Sequence, residues 1–107
     1  MFSIEDGYIT ITKGDTVVIT LNLDNYKLAP GDTVTMTVKR NVNNPDFVIQ
    51  KIVTEFEDGK AKIVLLEEDT NITPGKYKYD VQLDLADGRI DTVITPSVFK
   101  IEKGVTD

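Results

Sequence analysis

Tyr77-Lys78-Tyr79-Asp80-Val81-Gln82-Leu83-Asp84-Leu85 decides the fold. Tyr77, Tyr79, Val81, Leu83 and Leu85 fall on one parity, and Lys78, Asp80, Gln82 and Asp84 fall on the other. Successive side chains of a strand point to opposite faces, so this alternation predicts a strand with one face on a core and one toward water. Turn residues bound it on both sides: Thr73-Pro74-Gly75 before and Ala86-Asp87-Gly88 after. Pro fixes φ, Gly permits positive φ, and Asp caps its own backbone, which is why such clusters end strands.

The same grammar extends outward. Upstream, Tyr8-Ile9-Thr10-Ile11-Thr12 alternates, and Val17, Ile19, Leu21 and Leu23 oppose Thr16, Val18, Thr20 and Asn22. Val34, Met36 and Val38 then oppose Thr33, Thr35, Thr37 and Lys39. Downstream, Ile90, Thr92 and Ile94 are interrupted by Pro96 before Val98, Phe99 and Ile101 resume. Proline cannot donate to a ladder, so this stretch is expected at an edge or a bend. Asp58-Gly59 and Asp87-Gly88 are the sharpest hairpin signals, because type I′ turns favour Asp-Gly. Ala61, Ile63 and Leu65 after Asp58-Gly59 predict a hairpin with the preceding run, 47–56. That run mixes parities: Phe47, Ile49 and Val53 on one, Val48, Ile52 and Phe56 on the other. The mixture implies a bulge or burial on both faces. Glu67-Glu68-Asp69-Thr70-Asn71-Ile72 is the one place for a helical turn, too short to be more than a connector.

Seven to eight short strands without a helical pattern predict an all-β protein, an immunoglobulin-like antiparallel β-sandwich. Val, Ile and Thr make up about a third of the chain, as a pleated surface favours. One domain is expected over residues 1–107, with loose ends near 1–6 and 103–107. Tyr77 and Tyr79 share the parity of Val81 and Leu83, which places them in the core. A buried hydroxyl needs a partner, and a bond to nearby backbone, as at the corner of such sandwiches, would supply it. The competing use, an aromatic platform for a sugar, needs them exposed.

Composition narrows the chemistry. The 107 residues include neither Cys nor His, which excludes thiol nucleophiles and Ser-His-Asp triads and removes the usual transition-metal ligands. No P-loop or dinucleotide fingerprint occurs. The acids lie in turns or on outward parities, which disfavours the paired carboxylates of a glycosidase. No catalytic residue and no cofactor is therefore expected. Calcium is the remaining metal to weigh: Asp24, Asn25 and Asp32 bracket one loop, while Glu67, Glu68, Asp69 and Asn71 crowd another. A charged connector is the simpler reading of both. Lys13-Gly14-Asp15 reads as a turn rather than an adhesion tripeptide, and the sequon Asn71-Ile72-Thr73 lacks a secretion signal. A net charge of −6 disfavours nucleic acid and anionic membranes as partners. No signal peptide or membrane-length apolar run is seen. Val48, Ile52 and Phe56, if the other parity faces the core, form an exposed apolar interface, with Pro96 marking a second place for contact.

The string Thr70-Asn71-Ile72-Thr73-Pro74-Gly75-Lys76-Tyr77-Lys78-Tyr79-Asp80-Val81-Gln82-Leu83 resembles a pattern in small structural proteins of tailed phages and prophages. Asp87-Gly88 matches the short turn that follows there, and residues 92–106 match the final strand. Upstream, Lys13-Gly14-Asp15, the Pro30-Gly31 loop and the strand ending in Lys39-Arg40 fit as well. The chain is also similar to the immunoglobulin-like N-terminal domain of phage baseplate upper proteins. The 107 residues contain no stretch that resembles their coiled-coil or receptor-binding parts. The resemblance implies a non-enzymatic structural or assembly module. Its partners would be other phage structural proteins or copies of itself, in the virion or, during assembly, in the host cytoplasm. A carbohydrate- or cell-surface-binding module is the alternative.

Overall fold

A computed structural model of the chain describes residues 2–5, 7–23 and 26–104. In chain order the elements are β1 (Phe2–Glu5), β2 (Tyr8–Thr12), β3 (Val17–Leu21), β4 (Thr33–Lys39), β5 (Ile49–Val53), β6 (Ala61–Leu65), α1 (Glu67–Thr70), β7 (Gly75–Asp84) and β8 (Ile90–Glu102). The protein is all-β, with two sheets packed on a shared core. One sheet has the order β1-β2-β8-β7-β4-β5; the other is β3-β6 alone. The sheets are not purely antiparallel, because β2 runs parallel to β8, pairing Ile9 with Phe99 and Ile11 with Ile101. Within the end expected to be loose, Phe2–Glu5 pairs antiparallel with β2. Of the expected loose end, Lys103 and Gly104 lie beyond β8, and residues 105–107 fall outside the described residues.

The alternation in β7 is realised fully. Tyr77, Tyr79, Val81 and Leu83 are buried, while Lys78 stays exposed and Asp80, Gln82 and Asp84 half-buried. β4 repeats the pattern, with Val34, Met36 and Val38 fully buried. The two-stranded sheet contributes Val17, Ile19, Ala61, Ile63 and Leu65 from the other side. Phe99 lies at the centre with no exposed surface. It meets the Tyr79 ring edge-on at 6.1 Å and 67°, the geometry aromatic quadrupoles prefer.

The Asp58-Gly59 turn behaves differently from its expectation. Both central residues have positive φ, 51° and 74°, as a type I′ turn requires. It closes one bridge, Glu57 to Lys60, and no hairpin follows. β5 pairs with β4 in the large sheet, whereas β6 pairs with β3 in the small one. The reason lies in the apolar residues on either side of the turn. Ile49 and Val53 approach the core from one sheet, and Ala61, Ile63 and Leu65 from the other. A flat hairpin would put both sets on one face and leave the core open. Asp87-Gly88 does close a true hairpin, but through the three residues 86–88. Leu85 N–H donates to Arg89 C=O, and Gly88 takes φ 95°. That is the three-residue loop in which a left-handed glycine follows a type I turn.

Pro96 lies within β8, where the ladder to β7 slips. Tyr79 pairs with Ser97 but Val81 pairs with Ile94, and a second shift follows before Gln82. Each shift inverts the strand's parity once: between them Ile94 packs against the core opposite Val81, and after both the original alternation returns, with Ile90 outward and Phe99 and Ile101 inward. β2 pairs with β8 only from Phe99 onward, so proline occupies a bulge where no second ladder bond is demanded.

Candidate functional site

The outer face of the six-stranded sheet is built by the parities that leave the core. β4 gives Thr33, Thr35, Thr37 and Lys39, and β7 gives Lys76, Lys78, Asp80, Gln82 and Asp84. Neighbouring rows are fixed by register: Thr37 lies between Asp80 and Gln50, and Thr35 between Gln82 and Ile52. Residues 41–48, between β4 and β5, rise beside this face. There Asn41 and Asn44 each accept a hydrogen bond from the backbone N–H two residues on. The result is an open groove of about 410 Å³ whose wall includes Val42, Pro45, Phe47 and Pro96 and whose floor includes Lys78 and Asp80.

The expected interface residues divide. Ile52 is 61% exposed, and Pro96 is exposed in the groove. Val48 and Phe56 instead pack against the core. They belong to the flanks of β5, where the chain leaves the ladder, so their parity no longer follows that of Ile52. The residues that extend the apolar part of the face are Phe47, 54% exposed, and Val42, 55% exposed. Phe47 shares the parity of core-facing Ile49, and only the departure of the chain from the strand turns it outward. An exposed apolar pair also occurs on the small sheet, where Val18 lies directly across from Val64.

The tyrosines are structural. Tyr77 donates its hydroxyl to Thr73 C=O at 2.5 Å, the local backbone bond expected of a corner tyrosine, and Arg40 lies over its ring at 5.8 Å. Tyr79 donates to Gly7 C=O, and burial raises its pKa above the usual phenol value. Both are buried, so neither offers a stacking surface to a sugar.

Asp32, weighed above for calcium, has three hydrogen-bond partners within the fold. Only 2% exposed, its carboxylate accepts from Tyr26 O–H at 2.6 Å, Ala29 N–H at 3.0 Å and Ala86 N–H at 3.0 Å. These bonds, the tyrosine's above all, hold its pKa below the ordinary carboxylate value against the cost of desolvation. The carboxylate thus ties the loop before β4 to the β7–β8 turn. A Pro-Gly-Asp turn hints at local capping, but the long-range bond to Ala86 has no local sequence signal.

No group of three or more acidic, His or Cys side chains that could hold a metal occurs among the described residues; Asp24 and Asn25 of the calcium expectation lie outside them. In the second acidic stretch, Asp69 accepts from Leu66 N–H at 2.7 Å and pairs with Lys51 at 2.7 Å. Buried Thr70 donates to Asp15 C=O at 2.7 Å. The stretch caps a single helical turn and docks it on the Lys13-Gly14-Asp15 turn. A second cavity, about 550 Å³, opens between the sheets and includes Ile19, Leu21, Met36, Val93 and Ile94 in its wall. It lies where the two-stranded sheet stops short of β8. No helix among the described residues is long and apolar enough to cross a membrane.

No family model matches the chain, and no curated protein matches it. Among solved structures it is similar to a "putative glycoside hydrolase" from Bacteroides vulgatus ATCC 8482, at a TM-score of 0.45 and 11% identity. The match covers 89% of this chain and 16% of that protein. A likeness of that size carries neither fold nor activity across.

Proposed function

We propose that the chain is a non-enzymatic assembly module of a phage or prophage particle, part of its tail, baseplate or head, acting through protein–protein contacts. The observation that carries this reading is the outer face of the six-stranded sheet. It holds exposed Phe47, Val42 and Ile52 beside charged residues, on a hydrogen-bonded ladder. Apolar anchors rimmed by polar side chains are what a protein interface needs. The string that resembles phage structural proteins enters β7 at Gly75 and follows it to Leu83, in the middle of this sheet. An immunoglobulin-like arrangement is supported by β3 and β6 lying opposite β4, β7 and β8, and by the Tyr77 corner bond.

The test is location. Particles induced from a strain carrying the gene are purified on a density gradient, and their proteins counted by mass spectrometry. The chain is expected in the particle band at a fixed ratio to the major structural proteins. Its absence from intact particles would overturn the reading.

A further inference from the structure

The charges on the outer face are ordered, and the order is self-complementary. Along β7 the outward residues run Lys76, Lys78, Asp80, Gln82, Asp84. Register adds more lysine to the basic end, with Lys39 opposite Lys78 and Lys100 opposite Lys76. Like charges directly across a ladder oppose folding. This chain keeps two such pairs side by side although acids outnumber bases by 18 to 12 overall. Among the described residues, Lys39, Lys76, Lys78 and Asp80 are in no ion pair. Their charges are open to water or to another molecule.

We propose that this face docks on the same face of a second copy of the chain, with Lys76 and Lys78 of each copy meeting Asp80 and Asp84 of the other. The proposal deepens the assembly reading and rests on it. A two-fold axis lying between the sheets and crossing β7 near Tyr79 runs the two β7 strands in opposite directions. Lys78 then faces Asp80 of the second copy, and Lys76 faces its Gln82, with Asp80 and Asp84 on either side along the same outward row. Sheets stack about 10 Å apart, a gap that lysine and aspartate side chains span together. The same operation brings Ile52 of one copy near the level of Phe47 of the other, so the apolar residues meet as well. A two-fold contact of this kind is closed, each patch serving twice. Nucleic acid fits the face poorly, because the short basic end gives way within a few residues to Asp80 and Asp84 rather than continuing as a basic stripe. Four strands over about seven residues give a patch of about 450 Å². This is small against the roughly 800 Å² per partner of stable complexes, so the dimer is weak and favoured by the crowding of copies in an assembly.

Sedimentation velocity on the full chain up to about 1 mM, at low salt, tests the proposal. The wild type is expected to form dimers, weakening at least tenfold on raising NaCl from about 20 to 500 mM as the charges are screened. K76E/K78E and D80K/D84K should each be monomeric, and their equimolar mixture should restore the dimer. K76E/K78E should also melt no lower than wild type, since it removes both lysine–lysine pairs. A monomeric wild type, a salt-independent dimer, or a mixture that stays monomeric would overturn the proposal. The salt titration needs no variant, so a variant that misfolds leaves the test intact. Particle location is read separately, so the chain can prove to be a particle component that does not dimerise through this face.

Discussion

The two sheets are held by different means. In the six-stranded sheet β8, β7 and β4 are paired on successive sides, and Tyr77 and Tyr79 bolt it to the 73–75 turn and to Gly7. In the small sheet β3 and β6 have only each other, and their place depends on Val17, Ile19, Ile63 and Leu65 entering the shared core. One sheet is a ladder with a core attached; the other is a lid held by its core contacts. A rigid ladder with an uncovered outer face suits docking.

The sharpest way to break this comparison is to remove one core residue from each sheet. Phe99→Ala is expected to cost about 3–5 kcal/mol and Ile63→Ala about 2–4 kcal/mol, by chemical denaturation. Hydrogen exchange should separate them further: Ile63→Ala speeds β3 and β6 amides first, while Phe99→Ala speeds all strands together. Equal local effects from both would remove the distinction. Next come two turn glycines. A Cβ on Gly59 would lie 2.8 Å from Lys27 Cβ, whereas one on Gly88 meets nothing within 4 Å. Both hold positive φ, so Gly88→Ala is expected to cost about 1 kcal/mol and Gly59→Ala about 2 kcal/mol or more, read as urea midpoints. Tyr77→Phe removes a single hydroxyl bond and should cost about 1 kcal/mol by the same measurement.

Asp32 sharpens the same contrast through pH, because it secures a corner of the large sheet. Its folded pKa is lowered relative to the unfolded chain. Its contribution is therefore full above the unfolded value, about 3.9, and is lost as pH falls through the folded one. Asp32→Asn should flatten the fall of melting temperature between about pH 5 and 2. An unchanged slope would show that other carboxylates govern acid unfolding.

How legible all this is in the sequence depends on whether a signal is local. Parity in β4 and β7 is local, and it gives the core correctly. The Asp58-Gly59 turn is local too, and its type is read correctly. Which sheet takes each flanking strand is a matter of what lies across the core, and so the hairpin reading fails there. Val48 and Phe56 pack against the core instead of sharing the exposure of Ile52 for a related reason: alternation ends where the chain leaves the ladder, and nothing at 47–48 or 54–56 marks the exit. The charge order on the outer face is written in β7, but it acquires meaning only when register sets Lys39 and Lys100 beside it.

Side-chain footprinting with hydroxyl radicals, comparing dilute and concentrated solutions of the full chain, tests most directly whether the large sheet is the docking face. Concentration-dependent protection is expected at Phe47 and Ile52, with Val18 and Val64 on the small sheet unchanged. Protection at Val18 and Val64 alone, or at none of the four, would contradict it.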